Sequence, residues 1–265
     1  MNFRDKIYIM GILNITEDSF FDGRKYFEKN KAIERALKLI EDGADIIDIG
    51  GESSKPRSIK VGEEEEAARV IEIISEIKKQ KNVIISVDTY KSYVAREALK
   101  CGAHIVNDVY GGLYDKKIFD VAKEFNSYIC ITHNRIPVLN KYENVVSEVY
   151  EELKLRINKG ISKNISREKI LIDFGLGFSK YGENNLPLIK HINKFKDLGF
   201  PILFGCSRKK FLKLIDNKNP LENIESTIGM NLYAAINGAN ILRVHDVLEH
   251  RKIIDGINSL MYGGV

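Results

Sequence analysis

Two aspartates stand out by where they fall. Asp88 directly follows the apolar run Val83 to Val87, and Asp173 directly follows Ile170 to Ile172. A carboxylate at the end of such a run is costly to bury unless it accepts hydrogen bonds or meets a positive charge. Together with Asn107, which follows His104 to Val106, the two can grip a planar heterocycle through its ring N–H and amino donors. The competing reading is that each carboxylate caps the next helix or pairs with a nearby lysine. Cations gather at two other places, Ser207-Arg208-Lys209-Lys210 and Arg243-Val244-His245-Asp246. Arginine offers phosphate a planar fork and lysine a point charge. His245 can donate a hydrogen bond to a departing phosphate, or else be a core histidine paired with Asp246. Asn14 ends the first apolar run, and its amide oxygen suits magnesium whose other ligands are water and diphosphate. The five histidines are scattered without the spacing of a zinc site. Gly111-Gly112 and Gly175-Leu176-Gly177 lack the strand–GxGxxG–helix context of a dinucleotide fingerprint.

These residues need a scaffold that brings distant run ends together. Eight short apolar runs can be read: Ile7 to Leu13, Asp45 to Ile49, Val83 to Val87, His104 to Val106, Tyr128 to Ile131, Ile170 to Ile172, Pro201 to Phe204 and Ile241 to Val244. Each ends in a polar or glycine-rich signature, with Glu52 and His133 marking the second and fifth, and a helical period follows each one. Ile33, Ala36, Leu37 and Ile40 share one helix face, and Ala67, Val70, Ile71, Ile74 and Ile77 share another. Strand and helix alternating eight times predicts a (β/α)8 TIM barrel with its chemistry at the carboxyl ends of the strands. Further helices are expected near Tyr93 to Leu99, Ile118 to Phe125, Glu143 to Asn158, Leu186 to Asp197, Lys209 to Asn237 with a break around Pro220, and Val247 to Met261. The run Glu63 to Glu66 reads as a solvated helix start. Gly43, Gly102, Gly199 and Gly238 sit where a helix would end before the next strand. Long loops at Thr16 to Asn30 and Gly50 to Gly62 are expected to act as mobile lids over the catalytic face.

A chain of 265 residues fits one barrel domain over residues 1–265, since such barrels run to about 250 residues. With 44% hydrophobic and 29% charged residues it reads as a globular protein with a sufficient core. The net charge of +4 is dispersed, and no basic stretch interleaved with aromatics points to nucleic acid. No apolar stretch approaches the ~20 residues that cross a bilayer, and Met1 to Asp5 does not begin like a secretory signal. Cys101, Cys130 and Cys206 lie in apolar context and read as reduced core thiols of a cytoplasmic protein.

The motifs at the run ends resemble the dihydropteroate synthase family, in chain order over almost the whole length. They are Gly11-Ile12-Leu13-Asn14-Ile15-Thr16-Glu17-Asp18-Ser19-Phe20-Phe21-Asp22-Gly23, Asp48-Ile49-Gly50-Gly51-Glu52-Ser53-Ser54-Lys55-Pro56, Ser86-Val87-Asp88-Thr89-Tyr90-Lys91, Asn107-Asp108-Val109, Asp173-Phe174-Gly175-Leu176-Gly177-Phe178, Ser207-Arg208-Lys209 and Arg243-Val244-His245-Asp246-Val247. The resemblance implies that a 7,8-dihydropterin carrying a CH2-diphosphate is joined to 4-aminobenzoate, releasing diphosphate and forming 7,8-dihydropteroate for folate biosynthesis. It implies a pterin held by Asp88, Asn107, Asp173 and Lys209. The diphosphate would lie near Asn14 with Mg2+, Ser54, Arg243 and His245. Phe20, Asp22, Lys55 and Pro56 would surround the aminobenzoate and the reacting carbon. Asp22, Lys55, Arg243 and His245 would act in catalysis by a dissociative, SN1-like route. A homodimer and a sulfonamide-binding site are implied as well.

Several positions depart from the family's usual pattern. Glu17 stands where proline is common, Ser54 and Lys55 replace threonine and arginine, and Arg57 follows Pro56 where glycine is usual. Phe174 replaces a proline, which is expected to alter the floor of the pterin pocket. Thr132-His133-Asn134 replaces a methionine–histidine pattern, and Lys210 stands where a serine commonly meets the aminobenzoate carboxylate. These changes are expected to cluster around the second substrate. Two alternatives follow: a pterin-binding paralogue without condensation activity, and a methyltetrahydropterin–corrinoid methyltransferase. The latter would leave the cations near Lys209 and Arg243 without a diphosphate to bind.

Overall fold

Alternation along a strand sends successive side chains to opposite faces, and in a closed sheet those faces are the barrel axis and the helix layer. A computed structural model of the chain describes residues 1–15, 25–52, 60–136, 141–216, 219 and 224–263. Its strands are β1 (Tyr8–Asn14), β2 (Ile46–Gly50), β3 (Ile84–Asp88), β4 (Ile105–Asp108), β5 (Tyr128–Thr132), β6 (Ile170–Asp173), β7 (Ile202–Phe204) and β8 (Ala239–Val244). They pair in parallel in that order, and β8 closes on β1. The (β/α)8 expectation therefore holds. Between strands run α1 (Lys25–Glu41), α2 (Glu63–Gln80), α3 (Ser92–Lys100), α4 (Ile118–Glu124), α5 (Val145–Ser162), α6 (Leu186–Lys190), α7 (Ile192–Phe195), α8 (Lys213–Asp216) and α9 (Ile224–Asn237), with α10 (Val247–Tyr262) after β8. Among the described residues no helix is long and apolar enough to cross a membrane.

Parity divides the core in two. Outward residues such as Ile9, Ile47, Ile85, Val106, Ile172 and Leu242 join the helices' apolar faces in the larger cluster. Inward residues Tyr8, Met10, Ile46, Ile105, Leu171 and Ile241 form the smaller one, and Phe3 plugs its amino-terminal end. The Phe3 ring meets Tyr8 and Tyr128 edge-on, with both centroid distances 5.1 Å. Two residues further along, the inward positions turn polar: Asp48, Ser86, Asn107, Asp173 and Arg243. The barrel is thus sealed with hydrocarbon at one end and lined with charge at the other.

Some expectations need correction. The stretch Leu186 to Asp197 is not one helix but α6, α7 and a 3-10 turn at Lys196–Leu198, with His191 leaving helical geometry between them. Burial of Leu188, Ile189, Ile192 and Phe195 against the core decides its path. Residues Lys209 to Asn237 comprise a 3-10 turn at Lys210–Leu212, α8 and α9, and the expected break around Pro220 lies outside the described residues. The acidic run opens α2 as expected, and Glu63, Glu64 and Glu65 are exposed. Glu66, however, turns inward and is buried, held by Lys91 Nζ at 2.5 Å and Thr89 Oγ1 at 2.8 Å. Gly43, Gly102, Gly199 and Gly238, expected where helices end, all have positive φ.

The turn after β4 shows how a rim carboxylate can be wholly structural. Asp108 accepts from Tyr110 N at 2.9 Å and from Gly112 N at 2.6 Å, so each oxygen has a backbone partner. Gly112 has φ +75°, and a Cβ there would stand 2.3 Å from Phe119 Cε2 in the core. Gly112→Ala is therefore expected to destabilise the protein by roughly 2–4 kcal/mol, combining left-handed strain with overpacking. Chemical denaturation checks this, and a loss near zero would mean that the turn is not held by its close approach to Phe119.

Candidate functional site

Strand register assembles the mouth. Asn14 pairs with Gly50, Gly50 with Asp88, and Asp88 with Asn107, so four adjacent strands present these residues in one row. Gly50 is the gap in that row. A Cβ there would lie 3.5 Å from both Asn14 Oδ1 and Asp88 Cβ, so the glycine leaves open space between the exposed amide and the carboxylate. Arg243 enters from β8. Its Nε donates to Asp48 Oδ2 at 2.6 Å and its Nη2 to Asp88 Oδ2 at 2.7 Å. Asp48 Oδ2 also accepts from Asn107 Nδ2 at 3.0 Å. That donation fixes the amide's flip, because the opposite orientation would set two acceptors against each other.

On the other side of the mouth, Asp173 Oδ1 accepts from Gly175 N at 2.7 Å, and Lys209 Nζ donates to Leu176 O. Asp48, Asp88 and Asp173 thus face Arg243 and Lys209, three carboxylates against two cations. Burial pushes the Asp88 carboxyl up to about 7, with Arg243 opposing and Asp48 adding to the rise. Burial also raises Asp173, against the pull of Lys209. Lys209 is brought down to about 8 by burial, although Asp173 favours its charged form. Burial works against the charge on Arg243, yet the two aspartates hold its proton firmly.

His245 lies beside this cluster. Its Nδ1 is 3.0 Å from Ser207 Oγ, and its backbone N–H donates to the same oxygen at 3.3 Å. Burial, then Arg208 and Arg243, lower its pKa to about 4, so the ring is neutral at pH 7. A hydroxyl donating to Nδ1 leaves Nε2 with the hydrogen, available as a donor. The alternative pairing of His245 with Asp246 is not what forms. Asp246 instead binds Arg208 at 2.5 Å, which removes Arg208 from the free cations of the rim.

A family model described as pterin binding enzyme matches residues 10–245. A dihydropteroate synthase from Clostridium beijerinckii is 40% identical over 252 residues, 95% of this chain and 93% of that protein. The crystal structure of a dihydropteroate synthase from Clostridium difficile, obtained in the presence of pteroic acid, superposes with TM-score 0.91 at 38% identity and 98% coverage of both chains. One from Xanthomonas albilineans with 4-aminobenzoic acid gives TM-score 0.90 at 35% identity, covering 97% of this chain and 93% of that one. The chain belongs to the dihydropteroate synthase family of pterin-binding enzymes.

For a dihydropteroate synthase, the residues expected to hold the pterin do converge: Asp88, Asn107, Asp173 and Lys209 surround one mouth. Asn14, His245 and Arg243 stand at the same rim, and Lys210 is exposed on the 3-10 turn after Lys209. Phe20, Asp22, Ser54, Lys55 and Pro56, with Glu17 and Arg57, lie outside the described residues. At two departures the side chains turn away from the mouth, which corrects the expectation that Phe174 alters the floor of the pterin pocket. Phe174 is the outward neighbour of inward Asp173. It packs on Phe195 and Phe204, with centroids at 5.0 and 5.8 Å, and does not floor the pocket. His133 is buried among Glu152 and Lys180. Asp48, in contrast, was not foreseen as part of the site. Its signal was a lone charge within Ile46-Ile47-Asp48-Ile49, two residues before Gly50. Lys91 was also passed over. It binds Glu52 at 2.7 Å, Glu66 at 2.5 Å and Val61 O at 2.7 Å, tying both sides of the loop after β2.

Asp88 is expected to titrate near pH 7 in the ligand-free synthase, which carbon-detected NMR of labelled aspartate would report. Its folded pKa lies above the unfolded value of about 3.9. Its contribution to stability is therefore greatest below pH 4 and declines as the pH rises toward 7. Removing the cation with Arg243→Met should move that titration higher still. A midpoint below 5 in either protein would contradict this balance between burial and Arg243.

Proposed function

We propose that this dihydropteroate synthase, a transferase of folate biosynthesis acting as one domain over residues 1–265, joins a 7,8-dihydropterin CH2-diphosphate to 4-aminobenzoate through the residues of the barrel mouth. The observation that carries the assignment is the convergence of acceptors on Asp88, Asn107 and Asp173 beside the cations Arg243 and Lys209. A pterin ring presents amino and ring N–H donors to the acceptors and a carbonyl oxygen to Lys209. The pteroic acid and 4-aminobenzoic acid named with the two related structures support the same pair of substrates.

The Arg243–Asp88 pair gives the arginine two tasks. In the ligand-free protein it offsets the charge of Asp88 and Asp48. Pterin donors reaching Asp88 compete with Nη2, while Nε keeps its bond to Asp48. The freed end of the guanidinium then turns to the diphosphate. Pterin recognition and phosphate binding are coupled through one side chain. His245, neutral with Nε2 protonated, donates to a phosphate oxygen as negative charge grows on the leaving group. Asp173, Asn107 and Asp88 fix the ring while the pterin carries positive charge at its departing methylene, a dissociative path. The aniline nitrogen attacks that carbon as an adequate nucleophile without a strong base. Asp22 and Lys55 act on the reacting carbon, with Ser54 on the diphosphate. Phe20, Pro56 and Lys210 bind the aminobenzoate.

Asn14 Oδ1 is a single neutral oxygen ligand, and the described residues contain no group of three or more His, Cys, Asp or Glu side chains able to hold a metal. That donor set fits Mg2+ delivered with the diphosphate better than a resident metal. When bound, Mg2+ supplies charge neutralisation to the leaving diphosphate. The exposed Tyr233 and Ile236 of α9 and Leu248 and Leu260 of α10 support a homodimer, which light scattering would detect as twice the chain mass.

The direct test is mass-resolved detection of dihydropteroate from pterin diphosphate, 4-aminobenzoate and Mg2+, with loss of product when any component is omitted. Pterin bound without turnover would favour the paralogue reading. Arg243→Ala should weaken the pterin diphosphate at least about tenfold, the scale of a lost charged hydrogen bond. A pterin without phosphate should lose little, because the same change removes Asp88's competing partner. Equal losses for both ligands would remove Arg243 from the phosphate role.

A further inference from the structure

Lys180 is fully buried, yet among the described residues no carboxylate lies within hydrogen-bond distance of its ammonium. Its Nζ instead meets Gly175 O at 2.9 Å, Phe178 O at 2.8 Å, His133 O at 3.2 Å and His133 Nδ1 at 2.9 Å. Three carbonyl oxygens and an imidazole lone pair form an acceptor cage around one cation. The tautomer agrees. His133 Nε2 lies 3.0 Å from Glu152 and donates to that carboxylate, which leaves Nδ1 as an acceptor. Burial pushes the pKa of Lys180 well down from its ordinary value, so so costly a group needs a structural return.

That return is visible in what the cage joins. His133 follows β5, whereas Gly175 and Phe178 belong to the loop after β6. Gly175, at φ +67°, is so close to β5's extension that a Cβ would stand 1.9 Å from His133 O. Two carbonyls brought together without a cation between them repel. Gly175 also donates its N–H to Asp173 Oδ1, and His133 N donates to Asp173 O at 2.8 Å. Two of the three residues that Lys180 binds, Gly175 and His133, therefore hold the aspartate's carboxylate and its backbone.

We propose that Lys180 is a positioning residue for pterin recognition, clamping the loops after β5 and β6 so that Gly175 occupies Asp173 Oδ1 and Asp173 Oδ2 is left aimed for the ligand. The inference rests on the pterin role of Asp173. It adds a residue that touches no substrate and acts only through Asp173.

The test compares Lys180→Met, Asp173→Asn and the double variant, measuring pterin affinity calorimetrically and the KM of each substrate. Lys180→Met should raise the pterin Kd and KM at least about tenfold and leave the aminobenzoate KM within about twofold. The two substitutions should be strongly non-additive, as residues acting in one chain are. Additive losses, equal increases in both KM values, or unchanged pterin affinity in Lys180→Met would each overturn the proposal. If Lys180→Met does not fold, Lys180→Ala with propylammonium, which replaces the deleted atoms Cγ to Nζ, decides the matter. Saturable recovery of pterin binding supports the clamp, and its absence overturns it. Asp173→Asn separates the two levels of the argument. Unchanged pterin affinity in that variant overturns the site reading and this inference together. A loss there with none in Lys180→Met overturns this inference alone.

Discussion

The ion pairs of Arg243 with Asp48 and Asp88 hold the mouth of this barrel together. Burying charge is expensive, and a pair that is buried becomes a liability once either partner leaves. Here one guanidinium serves two carboxylates, one of them shared with the amide of Asn107. The arrangement orients four side chains from four strands before any ligand arrives. It also leaves Asp88 poised near neutrality, because one arginine does not fully offset the burial of two aspartates. A ligand rich in N–H donors would complete what the protein alone leaves incomplete. Among the described residues, three buried oxygens without a hydrogen-bond partner, on Asp48, Ser86 and Thr132, mark the inward faces of these strands as more polar than the protein itself satisfies.

Around this centre, buried cations hold the loops. Lys91 joins the segments after β2 and β3, Lys180 those after β5 and β6, and Lys209 reaches from beyond β7 to the loop after β6. Arg156 on α5 donates to the carbonyls of Thr132 and Asn134. Carbonyl oxygens at strand ends have no ladder partner, and in a crowded rim they face one another. Ammonium and guanidinium groups satisfy several at once. Asp108 and Asp173 show the same economy in opposite senses. Both end strands and both are followed by glycines with positive φ. Asp108 spends both oxygens on backbone N–H groups, whereas Asp173 spends one on Gly175. Similar sequence surroundings thus produce one carboxylate that is purely structural and one that is partly available.

Much of this was legible before any coordinates. The eight apolar runs, the polar residues at their ends and the glycine joints determine an alternating parallel architecture, because each run is too short and too apolar to stand outside a covered sheet. That architecture requires Asn14, Asp88, Asn107 and Asp173 to share a rim, whatever their separation along the chain. The motif resemblance added the chemistry.

Parity and partnership were decided only by the tertiary structure. A continuously apolar strand hides which residues face the axis, so Asp48 passed as part of a run while Phe174 was placed in a pocket it turns away from. Partners were hidden for a related reason: Arg243 lies far along the chain from Asp48 and Asp88, and nothing local distinguishes Lys91 or Lys180 from the many lysines at the surface. The amino-acid sequence by itself determined which residues stand at the barrel's carboxyl end, since periodicity is a local property. Which of them pair, which face the ligand and which are spent on backbone depends on closure and register, because those fix distances between strands that the chain brings together only when it folds.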